Sequence, residues 1–370
     1  MNKILFGSYV FMLFLFTLFS YLFIDPNFFY LRPLYSGIAF DHRVLVTLGY
    51  AIFICGFFVF YLYFLKAVKK ISVLKILLVF SFLLLISYPT ILSYDIFNYA
   101  TTAKVTYFYK ENPYLVMPNE FLGDKDVVFT RATNKVALYG PFWIMLSFLP
   151  YLLGFGNYLV QAFFFKVLVG TFYFLTVWVI YKLSDKDVGK TAFFALNPLV
   201  LIETFVSGHN DVAMVFFALY SLYLFKNGKN LLSGFSLVLS ILIKYATLFL
   251  LPVWVYLLYF RLKQKKISWE KVYVYSLILM FFVFLLSPLR EEMYPWYAIW
   301  FIPFVSLLES KRLKALTIAF SFGLMLRYLP YMASGTYFGF VPLVRILLML
   351  VPVILSAVLL LFLQLKARKV

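Results

Sequence analysis

Apolar residues along the chain fall into blocks of about twenty, separated by short polar breaks; positions 4–24, 44–65, 73–92 and 343–365 are examples. A helix of about 20 residues spans a hydrocarbon core of roughly 30 Å, and strands are rarely that long. In lipid only helices or closed barrels satisfy every backbone donor and acceptor, and these blocks lack the two-residue alternation of a barrel. The pattern predicts an all-α, polytopic membrane protein. Its spans fall at 4–24, 44–65, 72–92, 158–182, 190–206, 211–226, 271–288, 296–309, 313–330 and 341–365. The block 231–260, with Pro252 inside it, reads as two short helices. The segment 136–154 is apolar but carries Gly140, Pro141 and Pro150, and it reads as a re-entrant or interfacial helix. About twelve crossings result, in one domain over 1–370, with 93–155 as an outer loop plus that interfacial segment.

Composition supports lipid as the solvent. Hydrophobic residues make up 64% and charged residues 13%, against about 25% charged in soluble domains. The net charge of +18 would suggest nucleic acid on a soluble protein, but its distribution argues otherwise. Basic residues gather in the loops after every second span: Lys66, Lys69, Lys70 and Lys75; Lys182, Lys186 and Lys190; Lys226 and Lys229; Arg261 through Lys271; Lys311, Arg312 and Lys314; Lys366, Arg368 and Lys369. Most acids fall on the other side, including Asp25, Asp41, Asp95, Glu111, Asp124, Asp211, Glu291 and Glu292. This is the positive-inside signature, so the basic residues set topology, with both termini cytoplasmic and no nucleic-acid partner. The single cysteine, Cys55, excludes an internal disulfide. The first span lacks a small-residue cleavage site and reads as uncleaved. The absence of eukaryotic sorting signals points to a prokaryotic plasma membrane. No internal repeat is evident, and oligomeric state is left open.

Polar groups at membrane depth are costly and are functional candidates. Where the third span emerges, Asp95 is followed by Asn98 and Tyr99, which share its face if the stretch is helical. A carboxylate flanked by amide and phenol groups (Tyr94 precedes it) suits a general base that takes a proton from an acceptor hydroxyl. A helix cap or interfacial anchor is the alternative. The turn Ser207-Gly208-His209-Asn210-Asp211 offers groups for a sugar or phosphate, or else is a polar turn with Asp211 as cap. One histidine and scattered acids fall short of a coordination set, so a divalent metal has no support. Lys244, beside Tyr245 and deep in an apolar block, either holds a phosphate or snorkels to the boundary. Arg290 is another phosphate candidate, and Trp296 with its aromatic neighbours fits a sugar-stacking surface or an ordinary interfacial belt. Arg327 and Arg345 read first as anchors near span ends, and second as carrier contacts; Lys166, Asn197-Pro198 and Glu203 are less specific.

In order, Asp95…Asn98-Tyr99, Asn112-Pro113-Tyr114, Tyr139-Gly140-Pro141, Asn197-Pro198, Gly208-His209-Asn210-Asp211 and Lys244-Tyr245 resemble GT-C glycosyltransferases. The resemblance is nearest to polyprenyl- or dolichyl-phosphate-mannose-dependent mannosyltransferases, including the GPI mannosyltransferase that adds the first mannose and the bacterial alpha-mannosyltransferases. It covers roughly 88–255, with Pro295-Trp296-Tyr297 in support. No single tripeptide is specific; their order and spacing carry the likeness. The resemblance implies a GT-C-like architecture and Asp95 as catalytic base. It also implies inverting transfer of a sugar, mannose by the likeness, from a lipid-phosphate donor to a glycan or glycolipid on the outer face. Tyr94, Asn98, Tyr99, Asn112, Tyr114, Tyr139, His209, Asn210, Asp211, Tyr245 and Trp296 become donor or acceptor contacts, and Lys244 and Arg290 carrier-phosphate contacts. Many relatives have a pair of acids in the first outer loop. Here Asp95 stands alone, after the third predicted span.

The chief rival is a transporter or flippase for a polar or lipid-linked solute, which would share the spans and the charge pattern. Helix breaks paired across two halves would favour it. The long polar stretch 93–135, with an acid at its membrane edge, favours the enzyme. A non-catalytic assembly subunit is a further rival and would tolerate loss of Asp95.

Overall fold

A computed structural model describes residues 3–34, 37–68, 72–89, 91–289 and 292–367. Arg290, a candidate phosphate ligand, lies outside the described residues, as do Lys69, Lys70, Glu291, Arg368 and Lys369. Among the described residues every regular element is helical. The helices of eight residues or more are α1 (Lys3–Ser20), α2 (Arg43–Ala67), α3 (Val73–Leu85), α4 (Asp95–Tyr107), α5 (Tyr158–Leu183), α6 (Val188–Ala195), α7 (Pro198–Phe205), α8 (Asp211–Lys226), α9 (Asn230–Ile243), α10 (Leu251–Leu262), α11 (Trp269–Leu286), α12 (Lys311–Leu326) and α13 (Val341–Ala367).

Seven segments are long and apolar enough to cross a membrane: Ile4–Phe23, Arg43–Ala67, Tyr158–Leu183, Tyr245–Leu262, Trp269–Leu289, Lys311–Ser334 and Val341–Ala367. The pair α6–α7 makes an eighth if its 53° bend lies within one span. Only 6% of the most apolar window of α13 is buried, so this helix turns leucines, isoleucines and valines outward, where lipid is the solvent they fit. The chain is a membrane protein.

Several expected spans take another form. The 72–92 block gives only α3, which stops at Leu85. The Lys166 ammonium reaches across from α5 and donates to the carbonyls of Leu84 (3.1 Å) and Ser87 (2.8 Å), a charged donor added at the end of α3. The 190–206 block bends because Asn197 caps a new helix, accepting from the Leu199 amide at 3.0 Å, and Pro198 cannot continue the previous ladder. The 231–260 block breaks at Lys244, an extended residue with φ −156° and ψ 126°. Pro252 is not the break; it sits in the first turn of α10, where proline is tolerated. The expected span at 296–309 is a 3-10 turn, Pro295–Trp300, then the short helix Ile302–Leu307. The segment 136–154 forms two short helices, Pro141–Leu146 and Phe148–Leu153.

Small residues set the close packing. Serines bond α9 to α8: Ser221 to Ser233 (3.1 Å), Ser236 to the Phe217 carbonyl (2.7 Å) and Ser240 to the Met214 carbonyl (2.7 Å). At Gly323 a Cβ would lie 2.4 Å from the Met349 carbonyl oxygen, so α12 and α13 touch through backbone.

The bundle has two unlike ends. Basic loops collect at one, where Lys226 pairs with Asp185 (2.8 Å), Lys190 with Glu309 (2.5 Å), and Arg261 donates to the Phe225 carbonyl (2.9 Å). The helices α8 and α12 run between that end and the opposite one, which holds Asp211 and Arg327. There α4 carries the segment 108–135 folded back over it. Lys104 bridges Asp124 (2.6 Å) and Asp126 (2.7 Å), Tyr109 donates to Asp124 (3.0 Å), and Phe129 stacks on Phe28 at 4.1 Å. Burial works against the Asp124 charge, yet Lys104, the Asp126 amide and the Tyr109 hydroxyl hold its carboxyl below the usual range. Burial likewise opposes the Lys104 charge, but its two aspartates push it up.

Candidate active site

Asp95 is the first residue of α4, with Tyr94 at the cap position, so its carboxylate is not spent capping a helix. The Asn98 amide, one turn on, donates to Asp95 Oδ1 at 3.4 Å. The Asn98 carbonyl is held by the Thr130 hydroxyl and the Arg131 amide (3.3 Å), so the folded-back loop fixes which way the Asn98 amide points. Tyr99 is buried against Tyr139 and Trp143, and its hydroxyl accepts from the Asn210 amide at 3.2 Å. The Asp95 side chain is 27% exposed, enough for a substrate to reach it.

The turn after α7 packs directly behind Asp95. Gly208 has φ +69°, and a Cβ there would come within 2.8 Å of Ile96 on α4, so glycine serves both the conformation and the approach. His209 is fully buried, with Nδ1 3.5 Å from Asp95 Oδ2 and Nε2 3.4 Å from Glu203 Oε2. Its ring stacks on Trp296 at 3.9 Å, and Glu203 accepts from the Tyr328 hydroxyl at 2.8 Å. The carboxylates face different ring nitrogens and do not converge. Among the described residues no group of three His, Cys, Asp or Glu side chains is placed to hold a metal ion. Burial disfavours the Asp95 charge, but His209 and Lys244, with the Asn98 amide, hold its carboxyl below the usual carboxylate range. It is therefore an anion at neutral pH.

Asp211 begins α8 and is fully buried; it accepts from the Lys244 ammonium (2.8 Å) and from Trp300 Nε1 (2.5 Å). Lys244 thus neither snorkels freely nor stands alone, and its ammonium lies 4.6 Å from the centre of the Tyr297 ring. The helix break at Lys244 is shaped by Gly140, where a Cβ would sit 2.1 Å from the Leu242 carbonyl oxygen, and whose amide donates to the Ile243 carbonyl at 3.0 Å. Broken helices of this kind are where membrane proteins build sites.

These groups border a cavity of about 530 Å³, lined by Tyr94, Asp95, Asn98, Tyr139, Lys244 and Trp296 among others. Farther along its wall are Arg43, Arg131, Tyr328, Arg327, Arg345 and Glu292. Both Arg345 and Arg327 (3.1 Å) bond the same Glu292 oxygen. Two guanidinium charges against one carboxylate leave a net positive charge. Beyond them opens an apolar groove of about 840 Å³ between α11, α12 and α13, lined by residues such as Phe281, Phe320 and Ile346. Glu292 and Arg327 border both spaces.

Of the other candidates, His209, Asn210, Asp211 and Tyr99 are buried behind the cavity wall and do not line it. Asn112 accepts from the Tyr114 amide (3.0 Å), and the Tyr114 hydroxyl donates to the Tyr139 carbonyl (2.7 Å), so Asn112-Pro113-Tyr114 builds the loop that presents Tyr139. Tyr245 is 58% exposed and turned away from the cavity. Arg327 and Arg345, first read as anchors, are instead buried in the cavity wall. Glu203 and Tyr328 were legible only as polar groups inside apolar blocks, a signal that also marks the two arginines.

No curated protein and no solved structure matches the chain. The family model described as Alpha-(1->6)-mannopyranosyltransferase, N-terminal domain, matches residues 31–260, more than half of the chain and all of it from Asp95 to Lys244. The chain belongs to this mannosyltransferase family, which is of the GT-C type.

Proposed function

We propose that the protein transfers mannose from a polyprenyl-phosphate carrier to a hydroxyl of a glycan or glycolipid, with inversion, on the outer face of a prokaryotic plasma membrane. Both termini are then cytoplasmic, on the side of the basic loops, and the chain makes about twelve passes if the short and broken helices are counted. The family description adds an alpha-(1->6) linkage, which inversion would form from a beta-linked donor. The observation that carries the reading is the continuity of the two spaces: a polar cavity bordered by the Asp95 carboxylate meets an apolar groove at Arg327 and Glu292, with Arg345 on the cavity side.

A lipid-phosphate sugar has three parts, and each has a counterpart. The prenyl chain fits the groove, whose wall is apolar. The phosphate fits Arg327 and Arg345, where planar forks match its oxygens and where it would displace Glu292. The sugar then lies in the cavity among Tyr139, Tyr94 and Trp296, toward Asp95. Asp95 takes the acceptor proton as its oxygen attacks the anomeric carbon. The bond to phosphate breaks with its electron pair, and the arginines hold the charge that develops.

The test is transfer by the purified protein from radiolabelled polyprenyl-phosphate mannose to a glycolipid acceptor, beside nucleotide-linked mannose. The reading expects product from the lipid donor alone. Product from the nucleotide donor, or solute movement without transfer in proteoliposomes, would overturn it.

A further inference from the structure

Glu203 and His209 touch no substrate in this scheme, yet they lie between two groups that border the cavity. Asp95 Oδ2 lies 3.5 Å from His209 Nδ1, His209 Nε2 lies 3.4 Å from Glu203 Oε2, and the Tyr328 hydroxyl donates to Glu203 Oε1 at 2.8 Å. Asp95 and Tyr328 both line the cavity, and Tyr328 follows Arg327 in the chain. The link is buried: His209 and Glu203 have no exposed surface. It is also held in place. Trp296 stacks on the imidazole with planes 16° apart, and the His209 amide donates to the Glu203 carbonyl at 2.9 Å. Titratable groups surround it: Tyr99 and Tyr139 face Asp95, and Arg327 and Tyr337 lie by Tyr328. Asp211 lies two residues on and is paired with Lys244, and Tyr50 packs against Tyr328 at 6.3 Å. Lys166 meets Gly208 with its stem, while its ammonium faces the carbonyls of Leu84 and Ser87.

An imidazole with a different carboxylate at each nitrogen passes a proton by accepting at one and releasing at the other, without turning. We infer that His209, Glu203 and Tyr328 form a proton path from Asp95 to the place of the leaving phosphate. The inference rests on the mannosyl-transfer reading. In an inverting displacement the hydroxyl and the phosphate stand on opposite faces of the anomeric carbon, so a proton shed on one side is needed on the other.

The balance closes. The acceptor hydroxyl gives its proton to Asp95 while its oxygen bonds the anomeric carbon, and the carbon–phosphate oxygen bond breaks with its electron pair going to phosphate. Asp95 then gives the proton to His209 Nδ1 as the Nε2 proton moves to Glu203. Glu203, protonated at Oε2, turns its carboxyl group toward Tyr328, whose hydroxyl swings from Glu203 to the phosphate and takes the Glu203 proton as it gives up its own. The phosphate leaves as a monoester monoanion, with the charge of the donor diester. Every protein group regains its charge, the imidazole in its other tautomer, which reverts before the next turnover.

The test uses the full chain in detergent at saturating acceptor. Glu203→Gln is expected to lower kcat about tenfold or more, with donor KM within about threefold of wild type, since Glu203 makes no donor contact in the scheme; Tyr328→Phe, which loses the hydroxyl that meets the phosphate, is expected to lower kcat about as much and to raise donor KM as well. His209→Ala is expected to lose kcat similarly and to regain part of it with added imidazole, while Asp95→Asn gains nothing from imidazole. Gel filtration and melting temperature check folding, and the two conservative variants keep the test decisive if His209→Ala does not fold. Wild-type kcat in both Glu203→Gln and Tyr328→Phe would overturn the path while leaving mannosyl transfer standing. So would a loss in His209→Ala that imidazole does not touch. No transfer by the wild type from any lipid-phosphate mannose would remove the parent reading and the path with it.

Discussion

At Gly140 a single added methyl group would lie 2.1 Å from the Leu242 carbonyl oxygen, and what it meets is backbone, which cannot swing aside as a side chain would. Gly140→Ala should therefore move the helix break that places Lys244, and it should lower thermal stability by about 1–3 kcal/mol. A melting curve and a donor titration check both effects. The arginine pair allows a separate prediction. Arg345→Ala leaves Arg327 and Glu292 as a neutral pair in place of a net cation, so the donor KM should rise about tenfold or more, with acceptor KM unchanged. Equal effects on both substrates would argue that Arg345 only supports the fold. At this scale the sequence was legible where polar residues cluster against apolar blocks. Asp95, Asn98, Tyr139, Lys244 and Trp296 do border one cavity. It was not legible where role depends on depth. Arg327 and Arg345 stand at helix ends, and only the packing of α12 on α13 turns them inward. Asn112 and Tyr114 carry a motif, but its groups close a turn instead of facing the cavity.

Among the elements, those that build the site are short or interrupted. Apolar periodicity marked blocks of the right length, yet it could not show where a lysine from another helix meets the end of one of them, as Lys166 does at α3, or where a glycine lets the backbone approach a break, as Gly140 does before Lys244. Such breaks are tertiary effects and leave no local signal beyond an isolated charge. The segment 108–135 is held to α4 by Lys104 between Asp124 and Asp126. The Asp124 carboxyl is held low, so its contribution is present above the unfolded value near about 3.9 and is lost as pH falls through its folded value. The Lys104 ammonium is held high, so its contribution is present below about 10.4 and is lost as pH rises through its folded value. The clamp should hold from about pH 4 to about pH 10. Asp124→Asn should speed hydrogen exchange across 108–135 at neutral pH, and exchange there that is the same in both proteins would contradict the clamp. Because this segment fixes Asn98, a loose clamp should also lower turnover.

The whole molecule has a basic end, a polar cavity at the other end, and an apolar groove leading from that cavity toward the flank of α13. The sequence carried the first of these openly, since the charge pattern follows from topology and needs no contact map. The groove was invisible because its walls come from three helices and look like any other apolar stretch. If a prenyl chain lies in it, Ile346→Trp should narrow it and raise the KM for long-chain carriers several-fold more than for short ones. A uniform effect across chain lengths would place the lipid elsewhere. The central claim is that Asp95 is the base of a mannosyl transfer from a lipid phosphate, and the most direct measurement is transfer of radiolabelled mannose from polyprenyl phosphate by wild type and Asp95→Asn at equal folded concentration. The account predicts product with wild type and a loss of about a hundredfold or more with the variant, whose amide keeps the shape but not the basicity. Equal product from the two proteins would contradict it.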